Sequence, residues 1–279
     1  MKRKNEELLW LLLRGLILSA GLVMILGPLY LVVINTFKSL EEAGRSFFSW
    51  PASIDFTNYA KLFGKSEYWT YVKNSLLISV TSVAGVVILV PTVSYSIARN
   101  MRKTYYRFVY FFLLMGLFIP SQVIMLPVTK LMSRLGLQNP VGLIILYLTF
   151  SLTQGVFLFV NYIRSLPYEI EEAARLDGCS TFQTYWHIIL HLVKPMMATL
   201  VIMDLLWFWN DFLLPLLILN KSKAMWTLPI FQYNFKTEYS FDYTMAFTAY
   251  LMAMLPVLLI YCLGQKYIIK GLTAGSVKG

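Results

Sequence analysis

Ser165–Pro195, SLPYEIEEAARLDGCSTFQTYWHIILHLVKP, is a polar, charge-bearing interruption between two long apolar runs. Its residues describe two short helices and a corner. Pro167 suits a first helical turn, where its missing N–H costs nothing. Glu169, Glu171 and Glu172 then lie near the positive end of that helix's dipole. Gly178 falls just past the last helical residue, where a left-handed cap favours glycine. Ser180, with Gln183 three residues on, has the spacing of a capping box, so a second helix starts at once. Phe182, Tyr185, Trp186 and Ile189 give that second helix an apolar face. The stretch reads as a compact knob.

The sequence around the knob belongs in a membrane. Of 279 residues, 58% are hydrophobic and only 14% charged, against about 25% charged in a typical soluble domain. Runs without Asp, Glu, Lys or Arg cover 15–34, 74–98, 108–129, 135–163 and 243–265, and 196–219 is apolar apart from Asp204 and Asp211. A helix needs about 20 residues to cross a hydrocarbon core ~30 Å thick. These runs predict an all-α polytopic membrane protein, one transmembrane domain over 1–279 with six transmembrane helices at about 10–34, 74–98, 108–129, 141–163, 196–219 and 243–265. Lys2, Arg3 and Lys4 ahead of the first run imitate a signal peptide, but the run is too long and five more follow, so it reads as a retained span. Six spans put both termini on one side. The tight cluster Arg99, Arg102, Lys103 and Arg107 shares that side with the basic N-terminus, which marks it as cytoplasmic. The loop 165–195 and the tail 266–279 then lie there too. The net charge of +10 suits membrane lipid with anionic headgroups, and no basic-aromatic patch points to nucleic acid.

The fifth span carries the most chemistry. A carboxylate at mid-bilayer costs ~2.5–3.5 kcal/mol on insertion scales, so it is expected to face an interior or a water-filled path. Asp204 and Asp211 are seven apart, nearly on one helical face. Trp207 and Phe208 lie between them and Asn210 is adjacent. Aromatic rings beside hydrogen-bonding side chains suit a sugar, whose CH faces stack while its hydroxyls pair. Alternatively, Asp204 pairs with a neighbouring helix and Asp211 sits at the outer interface. Pro91, Pro120, Pro127, Pro215 and Pro256 predict kinks within spans, and Gly136–Pro140 reads as a turn. Gly64-Lys65-Ser66 resembles a phosphate loop but Tyr59 stands where its first glycine is needed, so the chain has no ATP site of its own. Cys179 and Cys262 make no disulfide framework, and His187 with His191 supplies too few ligands for a metal.

Glu172-Ala173-Ala174, three residues, Gly178, nine residues, then Ile188 and Leu190 resembles the EAA loop of ABC importer membrane subunits. The pattern departs at its end, where His191 replaces the family's helix-ending proline; the second helix is therefore expected to run further toward Pro195. Trp209-Asn210-Asp211-Phe212 with Pro215-Leu216, the closing segment Gln265–Gly279, Asn58-Tyr59 and the Leu135-Gly136-Leu137 turn are similar to maltose-type carbohydrate permeases. The resemblance covers nearly the whole chain and points to the shorter, six-span partner of a permease pair with the type I importer fold.

That resemblance implies a bacterial inner-membrane machine that imports a sugar or oligosaccharide. A second, homologous permease would complete the path, a cytoplasmic ATPase dimer holding ATP and Mg would drive it, and an extracytoplasmic sugar-binding protein would deliver the substrate. Glu172, Ala173, Ala174, Arg175, Asp177, Gly178, Ile188 and Leu190 would form the coupling helix seated on the ATPase, with Gly271, Gly275 and Lys278 in an extended tail that also reaches it. Asn210, Asp211, Trp207 and Asp204 would line the substrate path. Two other classes share some of these features. An ion-coupled secondary transporter also uses embedded carboxylates but needs no such knob, and a non-transporting scaffold needs no carboxylates in its spans. Among importers, glycerol phosphate or a polyamine would fit the composition.

Overall fold

The computed structural model describes residues 2–233 and 242–274, with side chains for 10–233 and 242–266. Among these residues the elements are helical. In chain order they are α1 (Lys2–Thr36), α2 (Leu40–Arg45), α3 (Thr57–Phe63), α4 (Ser66–Asn100), α5 (Thr104–Met115), α6 (Ser121–Arg134), α7 (Pro140–Ser165), α8 (Glu169–Leu176), α9 (Thr181–Leu192), α10 (Lys194–Asn210), α11 (Leu213–Ile218), α12 (Leu228–Tyr233) and α13 (Tyr243–Ala274). Two single 3₁₀ turns lie at Gly116–Phe118 and Lys223–Met225.

Four helical stretches are long and apolar enough to cross a membrane: Trp10–Thr36, Ser66–Asn100, Pro140–Ser165 and Tyr243–Lys266. Two bent pairs raise the total to six if each is one span. The expected third span, 108–129, is broken: α5 with its 3₁₀ turn meets α6 at 108°. Pro120 causes the break, because the residue before a proline is driven out of the helical region, and Ile119 has φ −93° and ψ 115°. The second bent pair joins α9 to α10 at 71°, and the expected fifth span, 196–219, is interrupted within itself as well. α10 ends at Asn210, Asp211 is extended (φ −68°, ψ 129°), and α11 restarts at Leu213. Thus Pro120 and Pro215 mark helix starts, where proline loses no bond, rather than kinks. Pro91, Pro127 and Pro256 do lie inside helices.

The chain forms two compact units. The first contains Met1–Trp69 and Gln232–Leu255. Its connection after α1 is held by buried polar groups: Lys38 Nζ donates to the carbonyls of Ser46 (2.7 Å) and Ser49 (2.5 Å), and Asn58 donates to those of Thr36 (3.0 Å) and Lys38 (2.8 Å). Asn58 is thus a fastener of this connection.

The second unit contains Thr70–Phe231 and Pro256–Gly279. α7 is its axis. Leu143, Tyr147, Val156, Phe159, Val160 and Ile163 of α7 are all buried. Burial of apolar area does not drive helix association in lipid, so close packing must. Accordingly, Gly85 of α4 lies against Leu148, and Gly155 of α7 against Val90; a Cβ on Gly155 would sit 2.7 Å from a Val90 methyl. At the turn before α7, Gly136 has φ +70°, while the Asn139 side chain accepts from Gly142 N–H at 3.0 Å and Pro140 opens the helix.

Candidate functional site

The knob forms as its residues dictate, with one shift. α8 begins at Glu169, so Pro167 lies just ahead of the first turn. Gly178 adopts φ +83°. Its N–H donates to Arg175 O (3.0 Å) and the Cys179 N–H donates to Ala174 O (2.9 Å), the two bonds of a Schellman cap. Ser180 and Gln183 close their capping box from both sides. α9 loosens into a π-helical turn over Tyr185–Ile189 and ends at Leu192, short of Pro195, which opens α10 after a 71° bend. His191 therefore extends the helix by less than expected.

The expected coupling residues divide by exposure. Glu172, Ala173, Arg175, Asp177 and Gly178 are exposed, Ile188 and Leu190 are half-buried, and Ala174 is buried. The expected apolar face of α9 also divides: Tyr185 and Ile189 are in the core, whereas Phe182 and Trp186 stack on each other in the open (6.2 Å, 16°). Leu176, 88% exposed, adds to that outer face.

What holds the knob was not among the expected site residues. Glu171 is wholly buried, and its carboxylate accepts from Arg99 Nε (2.5 Å) and from Tyr95 OH (2.8 Å), both on α4. Breaking such a pair on one side strands a buried charge and costs about 3–5 kcal/mol. Tyr168 lies 5.6 Å from both the Arg99 and the Arg175 guanidinium groups, and its hydroxyl accepts from Arg175 (3.1 Å). That contact pushes the Arg175 pKa up, so the group stays charged. Tyr185 of α9 packs its ring 5.2 Å from that of Tyr95, tilted by 33°, and shares a 2.8 Å hydrogen bond with Thr92. The sequence signal for this cluster is Thr92, Tyr95 and Arg99, three polar side chains at helical spacing at the end of α4.

The expected path residues meet α7. Tyr147 OH donates to Asp211 Oδ2 (3.0 Å), and its ring stacks on Phe208 (4.4 Å, 18°) with Trp207 at 5.7 Å. Asp211 lies at the break itself, between the end of α10 and the restart of the chain at α11. Because α10 ends at Asn210, Asp211 does not share a continuous helical face with Asp204. Asp204 is buried beside Ser151, and neither Asp204 Oδ2 nor Ser151 Oγ has a hydrogen-bond partner among the described residues. Asn210 is exposed and donates to Leu206 O, and Trp207 is 38% exposed. Gly271 lies within α13 rather than in an extended tail; Gly275 and Lys278 lie outside the described residues.

The family described as "Binding-protein-dependent transport system inner membrane component" matches residues 91–273, more than half of the chain. The chain belongs to that family. This makes it a permease subunit of a transport system, a multi-pass membrane protein without an ATP site of its own. It is 44% identical over 277 residues to the multiple sugar-binding transport system permease protein MsmG of Streptococcus mutans, covering 99% of this chain and 100% of that one. It is 33% identical over 284 residues to the arabinooligosaccharides transport system permease protein AraQ of Halalkalibacterium halodurans, covering all of both. The fold is that of a crystal structure of a bacterial ABC transporter involved in the import of the acidic polysaccharide alginate, at a TM-score of 0.80, with 24% identity, 92% of this chain and 95% of that one.

Proposed function

We propose that this chain is the membrane-spanning subunit of an ATP-driven importer for a sugar or oligosaccharide. It forms half of the translocation path beside a second, homologous permease, with both termini in the cytoplasm. An extracytoplasmic binding protein delivers the substrate. ATP and Mg are held by a cytoplasmic ATPase dimer, not by this chain. The observation that carries the reading is the knob at 165–195: a capped helix pair whose inner side is tied to α4 while Glu172, Ala173, Arg175, Leu176 and Trp186 face outward. Small, charged and apolar groups on one rigid protrusion suit a protein cleft rather than lipid. The named substrates of the relatives, multiple sugars and arabinooligosaccharides, support the carbohydrate assignment. So does the aromatic and amide surface of Trp207 and Asn210 beside Asp211, with Asp204 deeper along α10. When ATP closes the ATPase dimer, the knob is drawn with it and the path switches from inward- to outward-facing, one two-state element biased by binding energy at a distance.

The test is purification of the tagged chain from its native membrane in mild detergent, with mass spectrometry of its companions. A second permease and an ATPase in comparable amounts are expected, and Glu172→Lys, which reverses a charge on the outward face, is expected to lose the ATPase. Recovery of the chain alone, with uptake insensitive to ATP depletion, would refute the importer.

A further inference from the structure

Glu171 immediately precedes the Glu172-Ala173-Ala174 triplet, yet it faces the opposite way. Both oxygens of its carboxylate are engaged by α4, through Arg99 and Tyr95. The second knob helix grips the same face of α4, where Tyr185 bonds Thr92 and packs its tilted ring against Tyr95. Thr92, Tyr95 and Arg99 are spaced three and four apart, one stripe of one helix. Immediately before that stripe stands Pro91, inside α4. A proline there deletes one backbone hydrogen bond. The Thr92 hydroxyl also bonds back to Ile88 O at 2.6 Å, a local arrangement that bends helices. The last turns of α4 are thus tied to the knob by three side-chain hydrogen bonds, just past the point where the proline removes one bond from their own helix.

We propose that the knob and the 92–100 segment of α4 form one lever hinged at Pro91, with Glu171 as the positioning residue that transmits movement of the knob into α4. The inference builds on the importer reading but assigns to Glu171 a role that no ATPase contact provides. In the lever, the outward face receives the push and the buried Glu171–Arg99–Tyr95 contact carries it. Glu171 touches neither sugar nor nucleotide.

The experiment uses the complete importer, both permeases with ATPase and binding protein, reconstituted in liposomes, and reads sugar imported per ATP hydrolysed. Glu171→Gln and Arg99→Gln are each expected to raise the ATP consumed per sugar by at least about fivefold, the lower bound of usual coupling between distant sites, with the ATPase retained at its wild-type ratio. The double variant is expected to be no worse than either single one, since both remove one contact. Tyr95→Phe, which strands no charge, shifts the ratio in the same direction by a smaller factor and decides the matter if the Gln variants do not fold. An unchanged ratio in the variants that assemble overturns the lever, as does loss of the ATPase from Tyr95→Phe, which would make the contact a structural support of the docking surface rather than a transmitter. Absence of the ATPase from the wild-type preparation refutes the importer reading instead.

Discussion

Gly178 offers the sharpest test of how the knob is built. Its φ of +83° lies in the left-handed region, and a Cβ placed on it meets nothing within 4 Å. For alanine, any effect within this chain is therefore backbone strain, free of steric clash. An L-residue in that conformation costs roughly 1–2 kcal/mol. Alanine recovers about 0.4–1 kcal/mol because it orders the unfolded chain relative to glycine. The net cost of Gly178→Ala is then on the order of 1 kcal/mol, about a fivefold rise in local opening. Valine, branched at Cβ, belongs at the upper end of the strain range, about 3 kcal/mol or roughly 100-fold. Asparagine tolerates this region and is expected below alanine. Amide hydrogen exchange in detergent reads the opening directly, at the Gly178 and Cys179 N–H groups that close the cap on Arg175 and Ala174. The order Asn, Ala, Val in increasing exchange rate is expected, confined to α8 and α9. Wild-type exchange in Gly178→Val would refute the cap. If instead exchange is unchanged while all three variants lose the ATPase equally, Gly178 acts as a contact surface and the strain argument is wrong.

Two further outcomes follow from the same geometry. Phe182→Ser with Trp186→Ser removes the exposed stacked pair and is expected to weaken ATPase capture by about thirtyfold, the scale of a ~2 kcal/mol aromatic anchor, with the fold unchanged by circular dichroism; undiminished capture would exclude this face from the contact. Asp211→Ala strands the buried Tyr147 hydroxyl and removes the carboxylate at the start of α11. Losing about 1–3 kcal/mol for the unsatisfied group, it is expected to lower the detergent melting temperature as well as alter uptake kinetics, so a changed KM at unchanged melting temperature would make Asp211 a pure path residue.

Apolar run length made six candidate spans legible, but not the breaks within two of them. Length and charge report whether a segment can sit in hydrocarbon, but not whether it is straight. The break at Ile119-Pro120 was written in the proline itself, since that residue forbids helix to its predecessor. The break at Asp211 had a subtler mark: Pro215, which a helix accepts without losing a bond only in its first turn. Reading 196–219 as one helix placed Asp204 and Asp211 on a shared face. In the structure they reach α7 separately, at Ser151 and Tyr147. These two residues lie four apart on α7, so the two aspartates face one stripe of α7 without sharing a continuous helix of their own.

The knob was legible in its backbone and not in its orientation. Gly178, Ser180 and Gln183 act on neighbours within a few residues, so their roles can be read along the chain. Glu171 cannot be read that way, because its partners are 72 and 76 residues distant and its local chemistry matches that of Glu169 and Glu172. The usual rule would turn the charged side outward and the apolar side inward. Here the carboxylate of Glu171 is inside, matched by Arg99 and Tyr95, while Leu176, Phe182 and Trp186 are outside. A free-standing protrusion in water gains nothing from exposing those three side chains. The inversion makes physical sense once the outer face is covered by another protein and the inner face must hold under load, which an ion pair with a shared hydroxyl does directionally and apolar packing does not.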